Sequence, residues 1–202
     1  MKSPIIGLLT VLILGAIQAY RRRKGKNKTS DAALLEAGRV LYAGDQQAFE
    51  DFFNLFLADK KKFVAEKENI LADYFFENDE LRTIDVLYIF GDQHGKLVFT
   101  DWKGEENTRE IEASIHQKLN LAPAWTHTDK LRATATEAQE RDGKFIIELL
   151  KAIDRDLNAV NKQLLFFNLG WDAYVYTALD KATFTQIVAL APDDFHGANK
   201  LK

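Results

Sequence analysis

The chain opens on an apolar run that differs from everything after it. Residues 4–20 carry no charge. At about 1.5 Å per residue a helix over this run is about 26 Å long, a little short of a ~30 Å hydrocarbon core but within the usual range of about 17–25 residues for a membrane span. Ser3 and Pro4 suit the start of a helix, and Tyr20 suits the membrane–water interface. The pattern predicts a transmembrane anchor over residues 1–20 that contacts the lipid bilayer through residues 4–20.

Beyond residue 30 the apolar positions recur with helical spacing. Ser30 is placed to cap a first helix, and a stripe of phenylalanines with the spacing i, i+3, i+4, i+7 follows. The stripe consists of Phe49, Phe52, Phe53 and Phe56. We interpret it as core, and an exposed groove for a partner is the alternative. Residues 31–77 are therefore predicted to be helical.

The next two segments have the composition of strands. TIDVLYIF (83–90) and KLVFTDW (96–102) are rich in β-branched and aromatic residues and flank the turn sequence GDQHG, which predicts a hairpin. Asn107 and Glu110 fit a capping box for a following helix. The sequence therefore predicts a hairpin plus a helix over residues 83–119.

The second half of the chain repeats this order. Residues 129–160 predict one long helix or a helix pair broken near Gly143, and QLLFFNL with DAYVYTAL predicts a hairpin plus a helix over 163–191. The two hairpins align without gaps at an offset of 77 residues, which favours a ββα duplication. The expected fold class is α+β, with a helix-rich domain and a mostly antiparallel sheet of two β-hairpins that has one face covered by helices. QLLFFNL is the predicted most buried strand.

Charge divides the chain into a basic start and an acidic body. Residues 1–30 hold seven Lys or Arg and no acid, whereas residues 31–202 hold 20 basic and 30 acidic side chains, a net charge of −10. The basic linker, 21–30, predicts an N-terminus outside and a cytoplasmic domain. The alternatives are an exported periplasmic or extracellular domain behind a cleaved signal peptide and a buried core helix. The residues expected at the membrane interface are Tyr20, Arg21, Arg22, Arg23 and Lys24.

Composition and motifs exclude several chemistries. The absence of cysteine excludes disulfides, thiolate nucleophiles and Cys-type metal sites. The sequence has no P-loop, dinucleotide fingerprint, nucleophile elbow, H-E-x-x-H or EF-hand loop. We expect no catalytic residues, cofactor or metal, and the acidic body is expected to be repelled by nucleic acid.

Two kinds of polar or aromatic cluster remain as candidate sites. GDQHG places Asp92 two residues before His94, and a similar Asp-x-His occurs at Asp194 and His196. Two such ligands do not make a metal site unless the fold adds others, such as His116 or His127, so we interpret GDQHG as a turn. Tryptophans next to acids can close a core or form a binding platform. The candidate surface for a partner or ligand is Asp92, His94, Asp101, Trp102, Trp171 and Asp172.

Glu105 and Glu106 are expected to stabilise the start of the helix that follows them.

Three segments in a fixed order carry a family resemblance. VFTDWKGEE, FIIELLKAI and LGWDAYVY together resemble a bacterial family of uncharacterised small α+β domains, over about residues 83–190. The resemblance implies the fold and supplies no activity or site residues.

The leading functional hypothesis is a membrane-tethered, non-enzymatic acidic domain that binds a protein partner at the cytoplasmic face of the membrane. Neutralisation of a basic toxin is one version of it. A hydrolase that uses Asp92, His94, Asp101 and Asp172 is one alternative, and an exported envelope domain is the other.

Overall fold

The computed structural model describes residues 29–74, 81–105, 107–136, 139 and 142–202. This part of the chain contains nine α-helices and a four-stranded antiparallel sheet, which confirms the α+β class. The helices are α1 (Asp31–Leu41), α2 (Gln46–Ala58), α3 (Lys60–Glu66), α4 (Glu68–Leu71), α5 (Thr83–Gln93), α6 (Glu110–Leu119), α7 (Thr126–Arg132), α8 (Gly143–Ala159) and α9 (Lys181–Leu190). The strands are β1 (Val98–Asp101), β2 (Lys162–Phe167), β3 (Ala173–Asp180) and β4 (Phe195–His196), in the spatial order β1-β3-β2-β4.

The sheet lies between two helical layers, each with its own core. Leu165 and Phe167 of β2 pack into the layer that contains α1, α2, α3, α5 and α9. Leu164 and Phe166 pack into the layer that contains α6 and α8. Successive side chains of a strand point to opposite faces, so a strand between two cores is apolar on both. This explains why residues 164–167 are all buried, and the expectation that helices cover only one face of the sheet is wrong.

The predicted first hairpin is also wrong, because residues 83–90 form α5. Every residue from 83 to 91 is buried. A helix that is enclosed on all sides has no polar stripe, so its sequence cannot be distinguished from a buried strand by periodicity. Its start is fixed by Asp85, whose Oδ2 accepts from the Arg82 amide and from the Arg82 guanidinium at 2.8 Å each.

GDQHG is the end of this helix and not a hairpin turn. Gly95 has a φ of +63°, the left-handed conformation that commonly ends helices. The Gly95 amide donates to the Asp92 carbonyl at 2.9 Å and the Lys96 amide donates to the Gly91 carbonyl at 2.8 Å. Since the first segment is a helix, the ββα duplication is wrong as well.

The segments that the proposed repeat aligned are in fact neighbours. β1 pairs directly with β3, with Phe99 opposite Val175 and Asp101 opposite Ala173. Their similar composition reflects a shared sheet. The second predicted hairpin is present as β2 and β3, where Phe167 lies opposite Val175.

Residues 129–160, predicted to be one long helix or a helix pair, contain the end of α7 and the whole of α8. α7 ends at Arg132, and α8 begins at Gly143. Asp142 caps α8 by accepting from the Lys144 amide at 3.0 Å.

Candidate binding groove beside His94

A groove with a volume of about 480 Å³ lies between α2, α4 and the end of α5. Its apolar lining comes from Phe52, Leu55, Ile70 and Phe90, with Ala48 at one side. Its polar lining comes from Asp51, Lys67, Gln93 and His94. This size falls in the range of sites that take a small molecule or a few side chains.

The phenylalanine stripe of α2 supplies both core and groove. Phe49, Phe53 and Phe56 are buried, so three of the four rings form core as expected. Phe52 is half-buried, packs against this core and also lines the groove. The ammonium of Lys67 lies 5.6 Å from the centre of the Phe52 ring, a distance typical of a cation–π contact.

His94 is held against the groove by two contacts with Phe90. The imidazole stacks on the Phe90 ring, with centroids 4.0 Å apart and planes at 23°. Its Nδ1 lies 2.8 Å from the Phe90 carbonyl oxygen. A carbonyl only accepts, so Nδ1 carries the proton, and in the neutral imidazole Nε2 is an acceptor.

Asp92 belongs to a hydrogen-bonded group beside the groove. The Tyr74 hydroxyl donates to Asp92 Oδ2 at 2.7 Å, and Gln93 Nε2 donates to the Tyr74 oxygen at 2.9 Å. Burial, with Asp92 nearby, raises the pKa of Tyr74 and of Tyr88. Both hydroxyls therefore stay protonated at neutral pH, and neither is suited to act as a base.

Trp171 is connected to the hydrogen-bonded group around Asp92 through two tyrosine rings. Its ring meets the Tyr88 ring edge to face at 4.9 Å, and Tyr88 meets Tyr74 in the same way at 5.6 Å. A continuous series of ring contacts thus connects Asp92, through Tyr74 and Tyr88, to the half-buried Trp171. Asp172 is exposed next to it.

The two tryptophan–aspartate pairs share one end of the sheet and do not form one platform. Asp101, at the end of β1, pairs with Ala173, at the start of β3. Trp102 follows Asp101 and Trp171-Asp172 precede Ala173, so the two tryptophan–aspartate pairs lie at the same end of the sheet. Trp171 contacts Tyr88 of α5 in one layer, whereas Trp102 lies against Gly143 at the start of α8 in the other. Trp102 is 42% exposed. The Asp101 carboxylate accepts from the Lys103 amide at 2.8 Å within its own turn.

The remaining histidines do not gather around Asp92. His116 is exposed on α6. His127 Nδ1 lies 2.8 Å from Asp156 Oδ1. His196 stacks on Phe166, and burial lowers its pKa. Over the described ranges, no three His, Asp or Glu side chains are grouped so that they could hold a metal ion.

A buried ion cluster next to β1 was not foreseen from the sequence. Arg132 donates to both oxygens of Glu112, at 2.8 and 2.6 Å, and to Glu105 Oε1 at 2.9 Å. Glu105 Oε1 also accepts from the Ile111 amide at 2.8 Å, so the expected role of Glu105 at the start of α6 is confirmed. Glu106 lies outside the described residues.

The predicted membrane anchor and its interface residues also lie outside the described residues. Of the helices that the structure describes, none combines the length and the apolar character that crossing a membrane requires.

The family follows from a comparison with family models. A model described as a domain of unknown function (DUF6630) matches residues 33–200. The chain belongs to this family. The match confirms the resemblance to an uncharacterised domain family and extends it over α1 to α4. Comparison of the DUF6630 domain with curated proteins and with solved structures gave no match.

Proposed function

We propose that this chain is a membrane-tethered, non-enzymatic module whose acidic domain binds a basic segment of a protein partner at the cytoplasmic face of the membrane. The observation that carries the proposal is the groove beside His94 together with the carboxylates around it. The tether rests on the sequence of residues 4–20 and on the basic linker that follows.

The carboxylates of Asp51, in the groove lining, and of Asp92, beside it, differ from those of Glu50 and Asp45 in having no basic partner. Glu50 pairs with Arg39 at 2.9 Å, and Asp45 pairs with Lys96 at 3.1 Å. For Asp51 and Asp92, by contrast, no Lys or Arg of the described residues forms an ion pair. Their charges remain available to a cationic partner.

The charge of the whole domain acts in the same direction. With a net charge of −10 over residues 31–202, the domain repels other acidic surfaces and attracts basic ones before contact. Long-range charge attracts a partner but supplies no contact area. The apolar lining of the groove supplies that area, and desolvated apolar anchors carry much of the affinity of protein interfaces.

The hydrolase alternative lacks this support. It needs Asp92, His94, Asp101 and Asp172 in one pocket. His94 lines the groove and Asp92 bonds to Tyr74 beside it, whereas Asp101 and Asp172 lie at the end of β1 and at the start of β3. The exported alternative changes the compartment in which a partner is found and leaves the proposed surface unchanged.

Removing the charges beside the groove tests the proposal. We expect Asp51→Asn with Asp92→Asn to reduce recovery of a chemically crosslinked partner by roughly tenfold at low salt, because the attraction that steers association is weakened. The measurement is quantitative retrieval of the tagged full-length chain from membranes of its own cells, in rising salt.

The matched control is Glu148→Gln with Asp193→Asn, which removes the same charge from exposed positions away from the groove. The control should retain most of the recovery. If both double variants lose the partner equally, net charge alone drives capture and the groove is not the binding surface.

A further inference from the structure

We propose that the groove receives the guanidinium of an arginine side chain from the partner, at the place that Lys67 now occupies over the Phe52 ring. This inference rests on the proposed function and specifies the chemistry of the partner.

The position of Lys67 shows that the groove floor accommodates a cation. Its ammonium lies 5.6 Å from the centre of the Phe52 ring, and both residues are half-buried lining residues of the groove. Among the described residues no Asp or Glu pairs with Lys67. The ammonium is held by the face of the ring, and such a contact is weak where water reaches it. A better matched cation can therefore displace it.

The groups beside Phe52 suit a guanidinium better than an ammonium. Asp51 lines the same groove, and its Oδ1 accepts from Gln47 Nε2 at 2.9 Å, which leaves Oδ2 for a ligand. The neutral form of His94 presents Nε2 as a further acceptor, since Nδ1 is committed to the Phe90 carbonyl. A guanidinium is planar, stacks on aromatic rings and donates several hydrogen bonds in fixed directions, whereas an ammonium is a compact, strongly hydrated charge.

Charge argues against the acidic domain of a second copy of this chain as the occupant. Two domains of net charge −10 repel each other, and the carboxylates beside the groove add to that repulsion. A purely apolar side chain would fill the floor and leave Asp51 without a counter-charge. An arginine satisfies the ring and the carboxylate together.

The test uses the full-length chain in detergent micelles with ¹³C-labelled histidine, whose four residues give few signals. The probes are N-acetyl-arginine amide, N-acetyl-lysine amide and N-acetyl-citrulline amide, which separate planarity from charge. We expect the arginine probe to shift the His94 signal at the lowest concentration. Lys67→Ala should lower the concentration of the arginine probe at which half of the His94 shift is reached by roughly threefold or more, because the competing cation is gone. Phe52→Leu should abolish the shift.

Lys130→Ala is the matched control, since it removes the same charge from an exposed position on α7. The signals of the other histidines report whether each variant remains folded. An equal response to the arginine and lysine probes would overturn the inference, as would equal effects of Lys67→Ala and Lys130→Ala.

The two proposals fail separately. If no arginine probe shifts His94 in Lys67→Ala while charge removal at Asp51 and Asp92 still reduces recovery of the partner, the arginine inference fails and the proposed function stands. If the arginine probe binds while that charge-removal variant recovers the partner as well as the wild type does, the proposed function fails and the arginine site stands.

Discussion

Arg132→Met is expected to lower the free energy of unfolding by about 3–5 kcal/mol, the cost of removing one partner of a buried ion pair. The guanidinium of Arg132 is bonded to both oxygens of Glu112 and to Glu105. The three side chains are only 4–6% exposed. Methionine fills a similar volume without donors, so two carboxylates would remain inside the protein without their cation.

The direction of the Glu105 pKa agrees with this expectation. Burial raises the pKa of Glu105, although the Ile111 amide and Arg132 act in the opposite direction. Without Arg132 the opposing effect weakens, and the buried charge becomes more costly. Part of the loss should therefore be recovered at acidic pH, where Glu105 can take up a proton.

Arg109→Met is the control for Arg132→Met. Arg109 is half exposed, lies 3.8 Å from Glu112 and bonds to Asp129 at 2.8 Å. Its loss should cost less than about 1 kcal/mol, as for exposed pairs in general. Urea unfolding of the full-length chain in detergent, followed by tryptophan fluorescence, compares the two variants. Similar losses would show that the Arg132 cluster contributes no more than a surface pair.

The second large effect is expected at Asp156, for which Asp156→Asn should cost about 2–4 kcal/mol. Asp156 is 2% exposed and projects from α8 to the start of α7. Its Oδ1 accepts from the amide and Nδ1 of His127, both at 2.8 Å. Its Oδ2 accepts from the amide and hydroxyl of Thr128, at 2.9 and 2.7 Å. An asparagine replaces one of the two acceptor oxygens with an NH₂ group. The N–H donors of that group would then face the donors of His127 or of Thr128, with no acceptor between them.

The pH dependence of this effect follows from the Asp156 pKa. Burial alone raises the pKa, but the bonds from His127 and Thr128 outweigh it and hold the pKa below its usual value. A carboxyl group with a lowered pKa in the folded state stabilises the protein above its unfolded pKa, about 3.9. That contribution disappears as the pH falls through the lower folded pKa. The stability difference between wild type and Asp156→Asn should therefore shrink below about pH 4.

Asp129→Asn, at an exposed position on α7, is the control for Asp156→Asn. It should change stability by less than about 1 kcal/mol at neutral pH. A difference between wild type and Asp156→Asn that stays constant as the pH falls through this range would contradict the assigned role of the Asp156 charge.

How well the sequence predicts each element depends on its surroundings. Amphipathic elements such as α8 and the phenylalanine helix α2 follow their 3.6-residue pattern, because one side meets solvent. α5 does not, because all of it from Thr83 to Gly91 is buried, and the pattern then reports burial and not the type of element. The β2 sequence is apolar for the same reason, which is why the two segments looked alike.

The candidate site was foreseen only in part for a related reason. Asp92 and His94 stood out as an acid and an imidazole beside glycines, and the structure places His94 in the lining of the groove and Asp92 next to it, bonded to Tyr74. The other side of the groove comes from Phe52 on α2 and from Lys67 directly before α4, and no local pattern connects those positions to the end of α5. Such a surface depends on how the helices pack, which periodicity does not specify.

Photocrosslinking from the groove tests the central claim most directly. The full-length chain would carry p-benzoylphenylalanine at Ala48, an exposed position that lines the groove, or at Ala113, an exposed position on α6 in the other layer. We expect a protein crosslink from position 48 in intact membranes that is lost with Asp51→Asn and Asp92→Asn, and none from position 113. Equal crosslinking from both positions would contradict partner binding at this groove. Crosslinking from position 48 that is unchanged by Asp51→Asn and Asp92→Asn would contradict it as well.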